Sequence, residues 1–260
     1  MLMRELIAVI EQFCPRSFAL DWDNVGLLAG RGDKEVRKVL IALDATSDVI
    51  DEAVGLRADA LITHHPLIFR GLTRASDEDF VGRRVESLIR NDIAYYAMHT
   101  NFDVMGMADA AADALKLTDR RVLEVTYEDE LSREGIGRIG ILPEHMTLRE
   151  LAVFTGEVFS VPHVRYYGDP ETPVVSAAIL PGSGADEIGL AIEGDADVMI
   201  TGDIGHHDGI DAVERGLAVI DAGHYGVEKL FLPYMRDFFA RECPELIVEL
   251  SRQPEPFNEI

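Results

Sequence analysis

Two hydrophobic periodicities alternate along most of the chain. Residues 36–43 (VRKVLIAL) form a β-branched, apolar run closed by Asp44, the pattern of a strand buried on both faces. Apolar positions at helical spacing follow from Ser47 to Leu56, with Ser47 read as the N-cap. A short apolar run at 60–63 ends in His64-His65-Pro66. A helical stretch over 79–90 then leads to the run 93–98, and another helix covers 108–115. Residues 1–13 carry Arg4, Glu5, Glu11 and Gln12 among apolar positions, an amphipathic helix that stops at Pro15. This rhythm predicts an α/β fold, layered αβα, with mixed or mostly parallel sheets.

The rhythm returns later. Moving residues 179–201 back by 138 positions places Ile179 on Ile41, Asp186 on Asp48, Ile188 on Ile50 and Ala191 on Ala53. The same shift lays ADVMIT (196–201) on ADALIT (58–63), and LAVI (217–220) resembles IAYY (93–96). Any two strand–helix–strand units share apolar runs. Identities at polar positions without a gap favour an internal duplication, and hence two related halves whose strand ends could face one another. Between the repeats lie a strand at 138–142, a helix at 147–155 opened by a Thr147/Glu150 capping box, and strands at 164–167 and 174–180. The first domain is drawn over residues 1–124 plus 217–260 and the second over 125–216. A helix from 225 to 241 follows the last apolar run.

Charge narrows the function. Asp and Glu number 47 against 24 Lys and Arg, for a formal net charge of -23 across 260 residues. Such a surface repels phosphate backbones, which argues against nucleic acid as a partner. The acid excess is spread among apolar positions, so it does not imply disorder. The lysines are Lys34, Lys38, Lys116 and Lys229, and an acid-rich, lysine-poor folded chain suits a high-salt cytoplasm where screening removes self-repulsion. No apolar stretch reaches transmembrane length and the first residues do not read as a signal peptide, so the expected location is cytoplasmic, with no membrane partner. Cys14 and Cys243 lie in no paired motif and read as small apolar fillers.

Imidazoles and carboxylates collect at strand ends. His64-His65 ends one apolar run, His99 and Asp103 follow another, and His224 and Glu228 follow 219–221. In α/β sheets the carboxyl ends of strands are where ligands bind, and several such ends delivering imidazole or carboxylate to one edge is what a metal site needs. His224 and Glu228 are four apart on a helix and share a face. Adjacent His64 and His65 can both turn toward one cavity where Pro66 breaks the strand, as two neighbouring ions would require. Asp103 or Glu228 can bridge such ions, which sit roughly 3.5–4 Å apart in two-metal sites. His99 has two readings, a group orienting Asp103 or a core histidine at a strand end. His206 and His207 line a cavity or serve helix capping, and Asp23-Asn24 beside Trp22 shape a cavity or form a turn. Pro181-Gly-Ser-Gly184 reads as a tight turn rather than an anion loop, because Asp186 and Glu187 follow it. His145 and His163 read as surface residues.

The blocks WDNVGL (22–27), THHP (63–66), HTNFD (99–103), TGDIGHH (201–207) and DAGHYGVE (221–228) resemble the signature blocks of the Nif-three-like proteins, the type 2 homologues of GTP cyclohydrolase I. The resemblance implies a dinuclear centre held by His64, His65, Asp103, His224 and Glu228, two interlinked α/β domains, and a ring-shaped homohexamer. Val227 departs from the threonine that many relatives place before the glutamate. Two functions are expected on this basis. One is a metal-dependent hydrolase of a small nucleotide or similar molecule, with His99 moving the proton and Arg70, Arg74 and Arg165 as candidate anion readers. The other is a non-catalytic metal carrier or scaffold. Imidazole with carboxylate suits zinc, iron, manganese or nickel.

Overall fold

The computed structural model describes residues 1–257 and divides into two compact units, Met1–Phe102 with the segment from Phe231 onward, and Asp103–Leu230. In the first unit the strands β1 (Gly26–Ala29), β2 (Lys38–Ala42), β3 (Ala60–Thr63) and β4 (Ala94–Ala97) join a C-terminal strand, Ile247–Leu250. Their order is β1-β4-β3-β2 followed by the C-terminal strand, parallel throughout except for β1. Every residue of β3 and β4 is buried, which is why these segments read as continuous apolar runs. Leu40, Leu61 and Tyr95 pack with Val49, Ile50 and Ala53 of the helix Ser47–Leu56 and Leu88 of the helix Phe80–Arg90. Side chains alternate across a strand, so Ile41, Ile62 and Tyr96 point to the opposite face. There the Tyr96 hydroxyl donates to Glu11 of the helix Met3–Phe13 (3.3 Å), and Phe13 packs on Phe238 of the helix Phe231–Glu242.

The second unit carries β5 (Thr118–Glu128), β6 (Arg133–Thr147), β7 (Arg165–Tyr167), β8 (Pro173–Ser183), β9 (Val198–Gly202) and β10 (Ala218–Asp221), in the order β5-β6-β8-β9-β10-β7. Only β8, β9 and β10 run parallel to one another. The core gathers Ile179, Ile200 and Ile220 with Leu148, Leu151 and Phe159 of the region around the helix Leu148–Val158. Thr147 and Glu150 form the expected capping box.

The duplication is visible in register and in hydrogen bonding. Ile41 pairs with Ile62 and Ile62 with Tyr96 in the first unit; the equivalent Ile179, Ile200 and Ile220 pair in the same way in the second. The polar identity within the repeat has a structural task. Asp59 Oδ2 accepts from the Arg37 and Lys38 N–H groups (2.9 and 3.0 Å), and Asp197 Oδ2 accepts from Val175 and Ser176, both at 2.8 Å. The preceding helices also end alike, on left-handed Arg57 and Asp195 (φ 52° and 56°).

Several boundaries differ from the sequence reading. Residues 118–128, read partly as first domain, form β5; its exposed, charged positions mark an edge strand without a clear apolar face. The chain passes to the first unit at Phe231 rather than 217, because β10 pairs in parallel with β9. The helix expected over 225–241 is two helices, His224–Glu228 and Phe231–Glu242. Pro233 lacks an N–H, and the restart puts it in a first turn, where none is needed. Thr46 rather than Ser47 caps its helix, accepting from the Val49 N–H at 3.2 Å.

Candidate metal centre

In the first unit the histidines sit just past strand ends. The N–H groups of His64 and His65 donate to the carbonyls of Ala42 and Leu43 (3.3 and 2.9 Å), so both residues still run beside β2. The His65 carbonyl accepts from Thr63 Oγ1 (2.7 Å) and from the Tyr95 hydroxyl (3.1 Å), and that hydroxyl accepts from the Leu67 N–H (2.7 Å). Burial pushes the Tyr95 phenol up to about 12, so it stays a donor.

His64 is fully buried, and its Nδ1 lies 3.0 Å from the Met98 carbonyl. A carbonyl only accepts, so Nδ1 carries a proton there. His65 Nδ1 faces Asp44 Oδ1 at 2.8 Å, and Asp44 Oδ2 accepts from Gln253 Nε2 at 3.2 Å. His99 Nδ1 donates to Asp23 Oδ1 at 3.0 Å. The three rings cluster, with centroids 4.9, 5.1 and 5.4 Å apart, and each offers a nitrogen within 4.8 Å of the others.

Asp23 is the partner that the sequence left open. Its side chain is 0% exposed, and it also accepts from the Thr100 N–H and hydroxyl at 2.9 and 2.5 Å. Burial pushes its carboxyl up, but the donors on His99 and Thr100 outweigh that and hold it at about 2. Asn24 Nδ2 donates to the Ile68 carbonyl (2.5 Å), fixing the loop after His65-Pro66. Trp22 is exposed and sets its ring edge-on to His99, with centroids 5.8 Å apart.

In the second unit Gly223, at φ +76°, turns the chain from β10 into the short helix that bears His224 and Glu228. His224 Nδ1 lies 2.8 Å from Asp203 Oδ2, and His224 Nε2 lies 2.9 Å from Glu228 Oε2. The Glu228 side chain is 4% exposed. Asp103 opens a π-helical turn, Asp103–Met107, and offers a carboxylate oxygen within 4.8 Å of one on Glu228. Two glycines make the room. A Cβ on Gly182 would stand 2.6 Å from Glu228 Oε1, and one on Gly202 would stand 2.3 Å from the His224 backbone nitrogen.

Other predicted residues lie elsewhere. His206 and His207 are exposed at the start of the helix His206–Glu214, their rings 5.1 Å apart. His145 and His163 are exposed, as expected. Residues 181–183 continue β8 rather than forming a turn into a helix. Arg165 holds the buried Asp221 at 2.7 Å and Arg74 pairs with Glu78 at 3.1 Å, so both are already engaged. The sequence reading took Asp44 as the end of an apolar run and Asp23 as a cavity or turn residue, because pairs 21 and 76 positions apart leave no local spacing signal.

Each unit thus holds imidazole or carboxylate side chains that could ligate a metal, with buried or hydrogen-bonded support. Among the described residues no helix is long and apolar enough to cross a membrane. The sequence model of Duf34/NIF3 (NGG1p interacting factor 3) matches residues 1–256. A Clostridium acetobutylicum protein named GTP cyclohydrolase 1 type 2 homolog is 37% identical, over 87% of this chain and 85% of its own length. A Streptomyces coelicolor protein of the same name is 39% identical over 87% and 81%. Among solved structures, a Bacillus cereus protein related to NIF3 superposes with a TM-score of 0.91 at 26% identity, over 100% of this chain and 99% of that one. Reduced HcgD from Methanocaldococcus jannaschii gives 0.84 at 31% identity over 97% and 98%. On the whole-length match and the shared two-sheet fold, this chain belongs to the Duf34/NIF3 family.

Proposed function

We propose that His64, His65, Asp103, His224 and Glu228 hold a pair of divalent metal ions, and that the protein is a metal-dependent hydrolase acting on a small nucleotide or related anion. One observation carries the reading. His64, His65 and His224 each set Nδ1 against an acceptor (Met98 carbonyl, Asp44 and Asp203), at 3.0, 2.8 and 2.8 Å, which fixes each ring and makes Nε2 the nitrogen that would meet a cation. For His224 the consequence is direct. Its Nε2 and Glu228 Oε2 stand 2.9 Å apart, close enough for one proton or one cation to join them.

The donor set fits such ions, since imidazole with carboxylate suits zinc, iron, manganese or nickel, and Gly182 and Gly202 leave space that a Cβ would take. In this reading Asp103 or Glu228 would bridge the two ions. A bound pair supplies a water of lowered pKa and polarises the bond under attack. His99, with Nδ1 fixed on Asp23, is left with Nε2 to move a proton. The same reading takes the protein as a cytoplasmic homohexamer suited to high salt, for which light scattering across a salt series is the check.

The deciding measurement is the metal content of protein purified without a histidine tag, alongside turnover of GTP and a phosphoester panel. The wild type is expected to hold about two ions per chain, and His65→Ala and Glu228→Ala to lose metal and turnover together. A metal-free wild type sinks the proposal. Full occupancy with no turnover would instead favour a metal carrier.

A further inference from the structure

A cavity of about 490 Å³ opens in the first unit, and His65 is one of the residues that line it. Its volume is that of a small-molecule site. Most of its wall is apolar, with Leu67, Ile68, Phe69, Leu72 and Phe80 contributing. Three of these are unusually open for large apolar side chains: Phe69, Leu72 and Phe80 are 50%, 38% and 56% exposed. A group of exposed apolar residues around a cavity marks a surface built to be covered.

Charge in this cavity runs against the rest of the chain. In a protein of net charge -23, the lining carries two guanidinium groups, Arg70 and Arg84, and one carboxylate, Asp44. That carboxylate is taken up by His65 Nδ1 at 2.8 Å and Gln253 Nε2 at 3.2 Å. Arg84 is held in place: its Nε donates to Ser47 Oγ at 3.1 Å, and its guanidinium lies 4.9 Å over the Phe80 ring. A guanidinium anchored through Nε and one ring face keeps its terminal N–H groups for an anion.

We propose that this cavity receives the body of the substrate, a small organic anion with a flat apolar ring. The ring lies against Phe69 and Phe80, the anionic group is read by Arg84 and Arg70, and the molecule reaches His65. A purine nucleotide is a member of this class. The assignment deepens the metal-hydrolase reading and rests on it for the chemistry, while the binding step stands on these side chains alone.

The test is calorimetric titration of the purified protein with guanosine 5′-monophosphate, guanosine and inorganic phosphate, with metal content measured on every sample. The monophosphate is expected to bind at least tenfold tighter than either half. Arg84→Gln should weaken it about tenfold, one charge-assisted contact, and leave guanosine within twofold. Phe80→Ala should weaken both the monophosphate and guanosine about fivefold, within the range for one stacking contact. Both side chains are on the surface, so the variants should fold and keep wild-type metal. A monophosphate no tighter than phosphate, or unaffected by Arg84→Gln, overturns the assignment and leaves the metal reading standing. Binding that depends on Arg84 in metal-free protein supports the cavity and overturns the metal reading instead.

Discussion

The strand triplets β2-β3-β4 and β8-β9-β10 share a register and an aspartate that ties two backbone N–H groups, yet they end in different chemistry. Carrying the repeat forward, Asp44, His64 and His65 of the first unit correspond to Gly182, Gly202 and Asp203 of the second. The first unit places its imidazoles on the strand end itself, and Asp44 steadies one of them. The second empties those positions, and the cleared space admits a helix that brings His224 and Glu228, with Asp203 steadying the imidazole. Main-chain devices are retained across the repeat because they hold the sheet together. The residues beyond the last ladder hydrogen bonds are under no such demand, and there the copies diverge.

The sharpest way to break this comparison is to refill an emptied position. Gly202→Ala would drive a Cβ to 2.3 Å from the His224 backbone nitrogen, and backbone yields little. It is expected to cost about 3 kcal/mol, the upper end for overpacking, read as a fall in the urea midpoint. An unchanged midpoint would mean that the glycine is not there for space.

Acid should separate the units next. The folded Asp23 carboxyl sits at about 2 against an ordinary 3.8. A lowered folded value means that its contribution is complete above roughly pH 4 and is lost as pH falls from there through about 2. At neutral pH the shift is worth about 2 kcal/mol. Asp23→Asn should therefore lose about that much at pH 7 and almost nothing at pH 2, in urea titrations run across pH. A loss that does not change with pH would put the effect in packing.

The smallest effect tests what the copies share. Asp59→Ala and Asp197→Ala each remove an acceptor from two backbone N–H groups at a partly exposed site, and each should cost about 1 kcal/mol. Costs that differ by more than the single-site scatter of about 0.5 kcal/mol would show that one copy has given up the device.

Much of the fold and the site is legible in the residues alone. Continuous apolar runs exposed β2, β3, β4, β8 and β9, because strands buried on both faces leave no alternation to misread. The strand-end histidines were visible for the same reason, since an abrupt switch from apolar to imidazole marks where a ladder stops. Edge strand β5 was hidden by its charged positions. The aspartates that orient His65, His99 and His224 were hidden by distance along the chain. The π turn at Asp103 left no trace either, since an extra residue in a helical turn changes no periodicity over so short a run.

That turn stores geometry in residue count rather than in residue type. A π turn closes its hydrogen bonds one residue later than an α turn, so deleting any one residue from 104–107 would let the run wind as ordinary helix. A π turn spreads its rotation over more residues than an α turn, so the side chains within the run would change their bearing while the flanking turns kept theirs. Asp103 would swing off its bearing while the ligand residues all stayed in the sequence, so homologues with a one-residue deletion there are the natural experiments to seek.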